Sequence, residues 1–483
     1  MNAGLLELEY AVLALALIVI ILDLFAQDDK RPVIQWTAVV GLTLIFVKSL
    51  FIEKSGVAFG GAYVLDPLAV FFKQFFLLAG VIVLVISADF AKHFRSGGTE
   101  FFALLLFALL GMMFVASANH FMLLFVALEL MTVTFYILVG YLRHRVDSLE
   151  AGVKYLILAA LSSGFLIYGI ALVYGVTGKM DFSSLHVALE NEASLADNPI
   201  LAIGLLLIFL GLAFKIAAFP MQIWAPDVYH GAPTPTTAFL AVGSKAAGVV
   251  LLFRLFSSTS LNLAAGGERV LMVISGLTIL YGSLCALPQR NLKRLLGYSS
   301  IASAGYLMMG FTVMSESGSV AILYYMMGYL FTVMGAFAVI AVVVREAGLE
   351  DVNSLAGLSQ RSPLMAATLT LAMVSLAGVP PLAGFFGKFL LFKAVLERVV
   401  QYRDYLVLIG VAVIGVLISL YYYFNVIRAI YWSKEPADLT PLEVSGPMRL
   451  VMGVCVIGML WLGMMPEHAL GMASKAISTL HLH

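Results

Sequence analysis

The sequence predicts an all-α polytopic membrane protein of about fourteen transmembrane helices, and three observations carry that reading. First, 62% of its 483 residues are hydrophobic and only 12% are charged, against roughly a quarter charged in ordinary soluble domains. The mean hydropathy is +1.01. No soluble core needs that much apolar sequence, so the excess must face lipid. Second, apolar runs are unbroken: no charge falls between Arg294 and Glu316, between Glu316 and Arg345, or between Asp404 and Arg428. Each run holds a helix of about 20 residues, and a transmembrane barrel would instead alternate with period two. Third, the breaks between runs are short and charged or rich in Gly and Pro.

Cutting at those breaks predicts spans at 8–26, 34–52, 67–88, 100–117, 121–142, 150–176 and 199–228. They continue at 234–256, 268–287, 293–314, 317–345, 362–398, 404–431 and 448–466. The first lacks a small-residue cleavage site after it and is expected to be retained. The longest expected loop is 177–198, so no soluble domain is expected. An even number of spans puts both termini on one side. Lys30, Arg31, Lys92, Arg95, Arg143, Arg145, Arg290, Lys293, Arg294, Arg345, Arg361, Arg428, Lys434 and Arg449 fall opposite them. The terminus side carries Lys48, Lys54, Lys179, Arg254, Arg269, Lys393, Arg398, Arg403 and Lys475. The bias predicts both termini outside the cytoplasm.

Composition excludes several functions. Lys and Arg (28) balance Asp and Glu (28), so no bulk field attracts a polyanion. Cys285 and Cys455 sit in apolar segments without a nearby Cys or His and read as buried small residues. There is no Gly-x-Gly, no GxxxxGK and no cysteine set for an iron–sulfur cluster. The chain has the parts to move an ion and no visible engine.

Five lysines are not explained by loops: Lys73, Lys154, Lys215, Lys245 and Lys388. Lys73 lies near a helix start and is expected to snorkel; Lys154, one turn into its helix, is ambiguous. The other three lie deep in apolar sequence, where a cation costs at least about 2.5–3.5 kcal/mol. Lys245 is flanked by Gly243, Ser244, Ala246, Ala247 and Gly248, which allow close helix approach and point it into the bundle. Glu129 is the one acid placed firmly inside a helix, and Lys215 or Lys245 is its expected partner.

Two spans are interrupted. Pro220 and Pro226 fall in the seventh, and Pro380 and Pro381 in the twelfth. Proline removes the i→i−4 bond, so carbonyls of Ile216, Gln222, Leu376 and Ala377 lose their donors. Freed backbone at membrane depth needs cover from protein or water. The breaks lie five spans apart, which predicts two inverted five-helix repeats, spans 4–8 and 9–13, with broken helices as in ion transporters. The expected units are 1–98, 99–257, 266–432 and 433–483. Tyr421, Tyr422, Tyr423, Tyr431 and Trp432 read as an interfacial belt. His120 and His230, at helix ends, are candidates for a proton path.

A desolvated lysine titrates near cellular pH, and a nearby carboxylate favours its ammonium form, so changing their separation moves a proton. Amines outnumber acids in the apolar sequence, which favours protons over sodium. Driving one charge against about 150 mV takes about 3.5 kcal/mol, which partner proteins must supply.

FKIAAFPMQIWAPDVYHGAPTPTTAFLAVGSK (214–245), NLKRLLGYSSIASAGYL (291–307), SLEAGVKYLI (148–157) and LAGFFGKFLLF (382–392) resemble the antiporter-like membrane subunits of complex I, the NADH:quinone oxidoreductase. The resemblance spans most of the chain, and the PDVYHGAP wording is similar to the N-type branch, also called the subunit 2 type. A lysine at 388 fits that branch; the M-type would carry glutamate. The resemblance implies a proton relay of Glu129, Lys154, Lys215, Lys245 and Lys388. It implies K-type and M-type neighbours in a bacterial inner membrane. It also implies no cofactor in this chain, with FMN, iron–sulfur clusters and quinone in partner subunits. Alternatives of the same fold are an Mrp-type cation/proton antiporter and a membrane-bound hydrogenase subunit; a third reading is a scaffold whose lysines only hold helices together.

Overall fold

The computed structural model describes residues 3–26, 31–91, 98–191, 198–259, 267–313, 315–348, 350–432 and 439–478. Helices traverse the molecule back and forth: α1 (Glu7–Phe25), α2 (Arg31–Ser49), α3 (Pro67–Phe90), α4 (Gly98–Ala116), α5 (Phe121–Val139) and α6 (Val146–Thr177). A short α7 (Phe182–Asn191) precedes α8 (Pro199–Ile216) and α9 (Trp224–Gly231), the two halves of a broken helix. α10 (Thr234–Phe239) runs through a π turn (Leu240–Ser244) into α11 (Lys245–Thr259). Then follow α12 (Gly267–Ala286), α13 (Leu292–Val313) and α14 (Glu316–Ala347). The halves α15 (Pro363–Ala377) and α16 (Ala383–Val399) make a second broken helix, followed by α17 (Tyr405–Trp432), α18 (Gly446–Met464) and α19 (Pro466–Ile477).

Among the described residues, 12 helices are long and apolar enough to cross a membrane. α13 and the α15–α16 pair fall outside that number for physical reasons. Lys293, Arg294 and several serines dilute the first, and the break shortens the second. Leucines, valines and phenylalanines all round the remaining helices leave them exposing Ile21, Val40, Leu206, Val407 and Ile457, the surface expected to meet lipid.

Two elements form the centre. In the most apolar 18-residue stretch of each, every residue of the Thr234–Ser257 segment and 89% of those of α14 are buried. Small residues permit this crowding. A Cβ on Gly248 would lie 2.6 Å from Ile216 Cγ2 and 3.2 Å from Lys215 Cβ, so α11 crosses the end of α8 in close contact. On Gly282 it would lie 2.4 Å from Ala302 N, which fixes α12 on α13.

Several expectations change. The 177–198 segment is not simply a loop, because α7 occupies its first part. A β-hairpin, Gly56–Ala58 against Tyr63–Leu65, sits in the α2–α3 connection. Three cations assigned to loops are structural. Arg254, 6% exposed, makes two bonds to Asp66 (2.8 and 2.9 Å) and caps Ala116 O. Lys293, 1% exposed, pairs with Glu350 at 2.8 Å. Arg345 pairs with Asp89 at 2.5 Å. Helix ends conceal them because the hydropathy of a run does not show which end charge folds inward. Lys30, Lys92, Arg95 and Lys434 lie outside the described residues.

Candidate functional site

Among the described residues, three lysines lie buried in the bundle without a carboxylate in contact. Each is held by neutral acceptors. Lys215, on the last turn of α8, donates from Nζ to Thr132 Oγ1 at 2.6 Å. Lys245, at the junction of the π turn and α11, donates to Ser300 O and Ser300 Oγ, both 2.6 Å away, and to Tyr329 OH at 3.3 Å. Its ammonium also lies over the Tyr329 ring, 4.7 Å from the centroid. Lys388, on α16, donates to Leu376 O (2.7 Å) and Ala377 O (3.3 Å) and lies over the Tyr306 ring at 5.0 Å. These carbonyls are the ones that Pro380 and Pro381 free, so the lysine of the second break caps the break itself.

The first break is capped differently. The chain leaves α8 at Ala217 (φ 58), and Pro220 sits in the crossing segment. Phe219 N donates to Thr278 Oγ1 at 3.0 Å. Trp224 Nε1 donates to Phe214 O at 2.9 Å, and Gln222 O accepts from Ala225 N at 3.1 Å. Pro226 does not break a helix: it sits in the first turn of α9, where no donor is needed. The second break spans Gly378 (φ +83) to Leu382 and contains both Pro380 and Pro381. Gly384 N donates to Ser375 Oγ, which bonds Thr332 Oγ1 on α14 at 2.9 Å.

A seam of hydroxyls and rings surrounds the central lysine. Ser300 Oγ lies 3.1 Å from Tyr229 OH and accepts from Tyr329 OH at 3.0 Å. Tyr329 stacks on Tyr325 with centroids 6.2 Å apart. Tyr423, bonded to Ser299, and Tyr422 are buried beside this seam. The expected interfacial belt is therefore divided: Tyr421, Tyr431 and Trp432 are exposed, but Tyr422 and Tyr423 turn inward because they occupy the other face of α17.

Glu129 is half-buried on α5, and its Oε1 accepts from Ser163 Oγ at 2.5 Å. It makes no direct ion pair with Lys215. Thr132, which holds the lysine, lies one turn from Glu129 on α5. Lys154 is in a different setting. It is 42% exposed and pairs with Asp227 (2.8 Å) and Glu150 (2.7 Å), while Asp227 also pairs with Arg294 (2.9 Å). It belongs to a charged cluster at the opposite face from the termini. His230, 3.9 Å from Glu350, lies on that face too. His120 caps α5 by accepting from Met122 N at 3.1 Å.

Sequence reasoning also missed a buried ion pair between α1 and α3. Lys73 does not snorkel: it is fully buried and pairs with Glu9 at 2.7 Å, and Glu9 is only 1% exposed. Glu129 is thus not the sole acid inside a helix. Both residues lie within two turns of a helix start, where sequence alone cannot separate a surface charge from an inward one. Among the described residues no group of three or more His, Cys, Asp or Glu is set to hold a metal.

The model of a family described as NADH:quinone oxidoreductase/Mrp antiporter, TM, matches residues 118–419. A relative from Heliobacterium modesticaldum named NADH-quinone oxidoreductase subunit N is 42% identical, covering 99% of this chain and 100% of that one. A chain of respiratory complex I from Thermus thermophilus superposes with a TM-score of 0.80 at 30% identity, over 97% of this chain and all of that one. A chain of the Mrp complex from Dietzia sp. DQ12-45-1b reaches a TM-score of 0.86 at 19% identity, over 100% and 98%, which shows shared fold alone.

Proposed function

Because this chain belongs to the NADH:quinone oxidoreductase/Mrp antiporter membrane-subunit family, we propose that it is a proton-translocating membrane-arm subunit of an NADH:quinone oxidoreductase. The observation that carries the reading is the contrast between the lysines. Elsewhere in the molecule buried cations are neutralised: Arg254 by Asp66, Lys293 by Glu350, Lys73 by Glu9. Lys215, Lys245 and Lys388 instead face hydroxyls and carbonyls. A cation kept without a counter-ion at such cost does work that a neutral side chain could not.

The partners suit proton exchange. A hydroxyl accepts from an ammonium and donates to an amine. Thr132 at Lys215, and Ser300 with Tyr329 at Lys245, therefore serve either protonation state. Lys388 keeps its carbonyl partners in both, since a neutral amine retains two N–H donors. In the proposed relay Glu129 biases Lys215, Lys245 is the central station, and Lys388 passes the proton on. Lys154 acts at the mouth, joined to Asp227 and Arg294. Ions are taken as protons, with redox energy supplied by partner subunits that hold FMN, iron–sulfur clusters and quinone. K-type and M-type subunits are the proposed neighbours, in a bacterial inner membrane with both termini outside the cytoplasm. The proposed units are three leading helices, repeats at 99–257 and 266–432, and the C-terminal segment 433–483.

The complex I reading is preferred to a free-standing Mrp-type antiporter because the 42% identical relative matches along its whole length. Lys245→Ala in the native complex tests it. Assembly is checked by native gel, then NADH:quinone turnover and the proton gradient are recorded together. Intact assembly with both strongly reduced is expected. Normal turnover and gradient would remove Lys245 from the relay and restore the scaffold reading; absence of the chain from any NADH-linked complex would favour the antiporter.

A further inference from the structure

A second charged group lies outside the line of central lysines. It is built where α1, the hairpin and α3 meet. Asp66 caps α3, accepting from Ala69 N at 2.8 Å, and so orients the helix that carries Lys73 two turns on. Lys73 Nζ lies 2.7 Å from Glu9 Oε1 and donates to Tyr63 OH at 2.7 Å. The Tyr63 hydroxyl in turn lies 2.9 Å from Glu9 Oε1 and 3.1 Å from Leu5 O. Glu9, Tyr63 and Lys73 are all within about 1% of full burial. The second carboxylate oxygen, Glu9 Oε2, is buried and has no hydrogen-bond donor among the described residues. A fully satisfied structural pair would not leave that oxygen bare.

The group lies beneath a surface cavity. A cavity of about 240 Å³ on the terminus side is lined by Leu5, Leu8, Leu65 and Lys73. Its rim carries Glu7, Lys48 and Lys54, paired at 3.3 and 2.7 Å and all at least one-third exposed. The polar rim thus brings water to a cavity that borders the Lys73 side chain.

We propose that Glu9, Tyr63 and Lys73 form a second proton-binding site, separate from the central lysines, which exchanges protons with terminus-side water through this cavity. The step balances. Transfer of one proton from Lys73 Nζ to Glu9 Oε1 across 2.7 Å turns the ion pair into amine and carboxylic acid without change of net charge. Uptake of one proton from cavity water by the amine then leaves ammonium and carboxylic acid, with a gain of one charge. Tyr63 bridges the two and stays protonated, since burial and the Glu9 charge push its phenol well above the usual range. The titratable groups that face the site are Glu7, Lys48, Glu53 and Lys54 at the rim, with Tyr10, Asp66 and Arg254 from the packed elements. The Asp66–Arg254 pair ties the site to α11, whose first residue is Lys245. The inference does not rest on the proposed pumping role, and its test reads protonation rather than turnover.

The test uses the whole complex in lipid nanodiscs. Infrared difference spectra are recorded while pH is lowered, in water and in deuterium oxide. A carboxylic-acid C=O band is expected to appear, exchange with deuterium, and be lost in the charge-neutral variant Glu9→Gln/Lys73→Met. Lys54→Cys carrying a bulky maleimide at the rim should slow its exchange at least about tenfold, against a complex retaining Lys54 and treated with the same reagent. A wild-type spectrum identical to that of the double variant means a static ion pair and overturns the proposal. Unchanged exchange in the labelled complex overturns the route. If the double variant does not assemble, Tyr63→Phe decides: it removes the phenol beside Oε1, so a shifted band supports the site and an unshifted one overturns it.

Discussion

Adding one methyl group at Gly384 perturbs the second helix break without altering any charge. A Cβ there would lie 1.8 Å from Ser375 O and 2.7 Å from Ser375 C, both backbone atoms that no side-chain rotation can move aside. Ordinary contact begins at 3.4 Å, so α15 and α16 must separate by about 1.6 Å at this point. Lys388 lies one turn beyond Gly384 on the same face, and Leu376 follows Ser375. The same displacement stretches the Lys388 Nζ to Leu376 O distance from 2.7 Å to about 4.3 Å, outside hydrogen-bond range. Overpacking costs about 1–3 kcal/mol and the orphaned carbonyl about 1–3 kcal/mol more. Many packed helices share that burden, so assembly is expected to survive. A misplacement of more than an ångström in a relay is expected to lower turnover by about 10²-fold. Gly410→Ala is the matched control: it lies on α17 with nothing within 4 Å, and should leave turnover unchanged. The assay is NADH:quinone turnover with dye-reported acidification in native membranes. An assembled Gly384→Ala complex with full turnover and gradient would refute the claim that the geometry of the break matters.

Lys388→Met should destabilise the complex by about 1–3 kcal/mol more than Lys245→Met, read as a difference in thermal unfolding. The first leaves Leu376 and Ala377 carbonyls bare, whereas Ser300, Tyr329 and Tyr229 keep their bonds to one another; the reverse order would contradict it. Glu129→Gln retains a bond to Ser163, so the complex should assemble while the proton gradient falls; an unaltered gradient removes Glu129 from the relay. Arg254→Met strands Asp66 without its two bonds and should cost about 3–5 kcal/mol, seen as poor recovery of the assembled complex, and Asp66→Asn/Arg254→Met should restore most of it.

The deep lysines were legible in the sequence because hydropathy isolates them: Lys215, Lys245 and Lys388 interrupt long apolar runs that offer no acid nearby. The breaks were legible because proline has no N–H to give, and the carbonyls that Pro380 and Pro381 free are those Lys388 caps. Lys154 was not, since one turn into a helix the same residue can point to the rim or the core; only the positions of Asp227 and Arg294 decide. The partners of the central lysines were equally hidden. Ser300 and Tyr329 come from α13 and α14, more than fifty residues away in sequence, and serines and tyrosines are too common in membrane helices to signal a role.

The two broken helices are not used alike, and this bears on how a relay can be directional. Lys215 precedes its break and is held by a side-chain hydroxyl on a neighbouring helix, with Glu129 close enough to act on it. Lys388 follows its break and is held by the backbone of its own broken helix, with no acid in contact. A threonine hydroxyl reorients at little cost when the proton leaves, and the nearby carboxylate can take up the charge balance. Backbone carbonyls cannot reorient without moving the half-helix that carries them. In the proposed relay the carbonyls therefore hold the Lys388 nitrogen in one place in either protonation state, while exchange at Lys215 responds to the Glu129 charge. In that proposed relay one end answers to a neighbouring charge and the other is held by the geometry of its break, an inequality between the ends that one-way transfer requires and a symmetric row of lysines would lack.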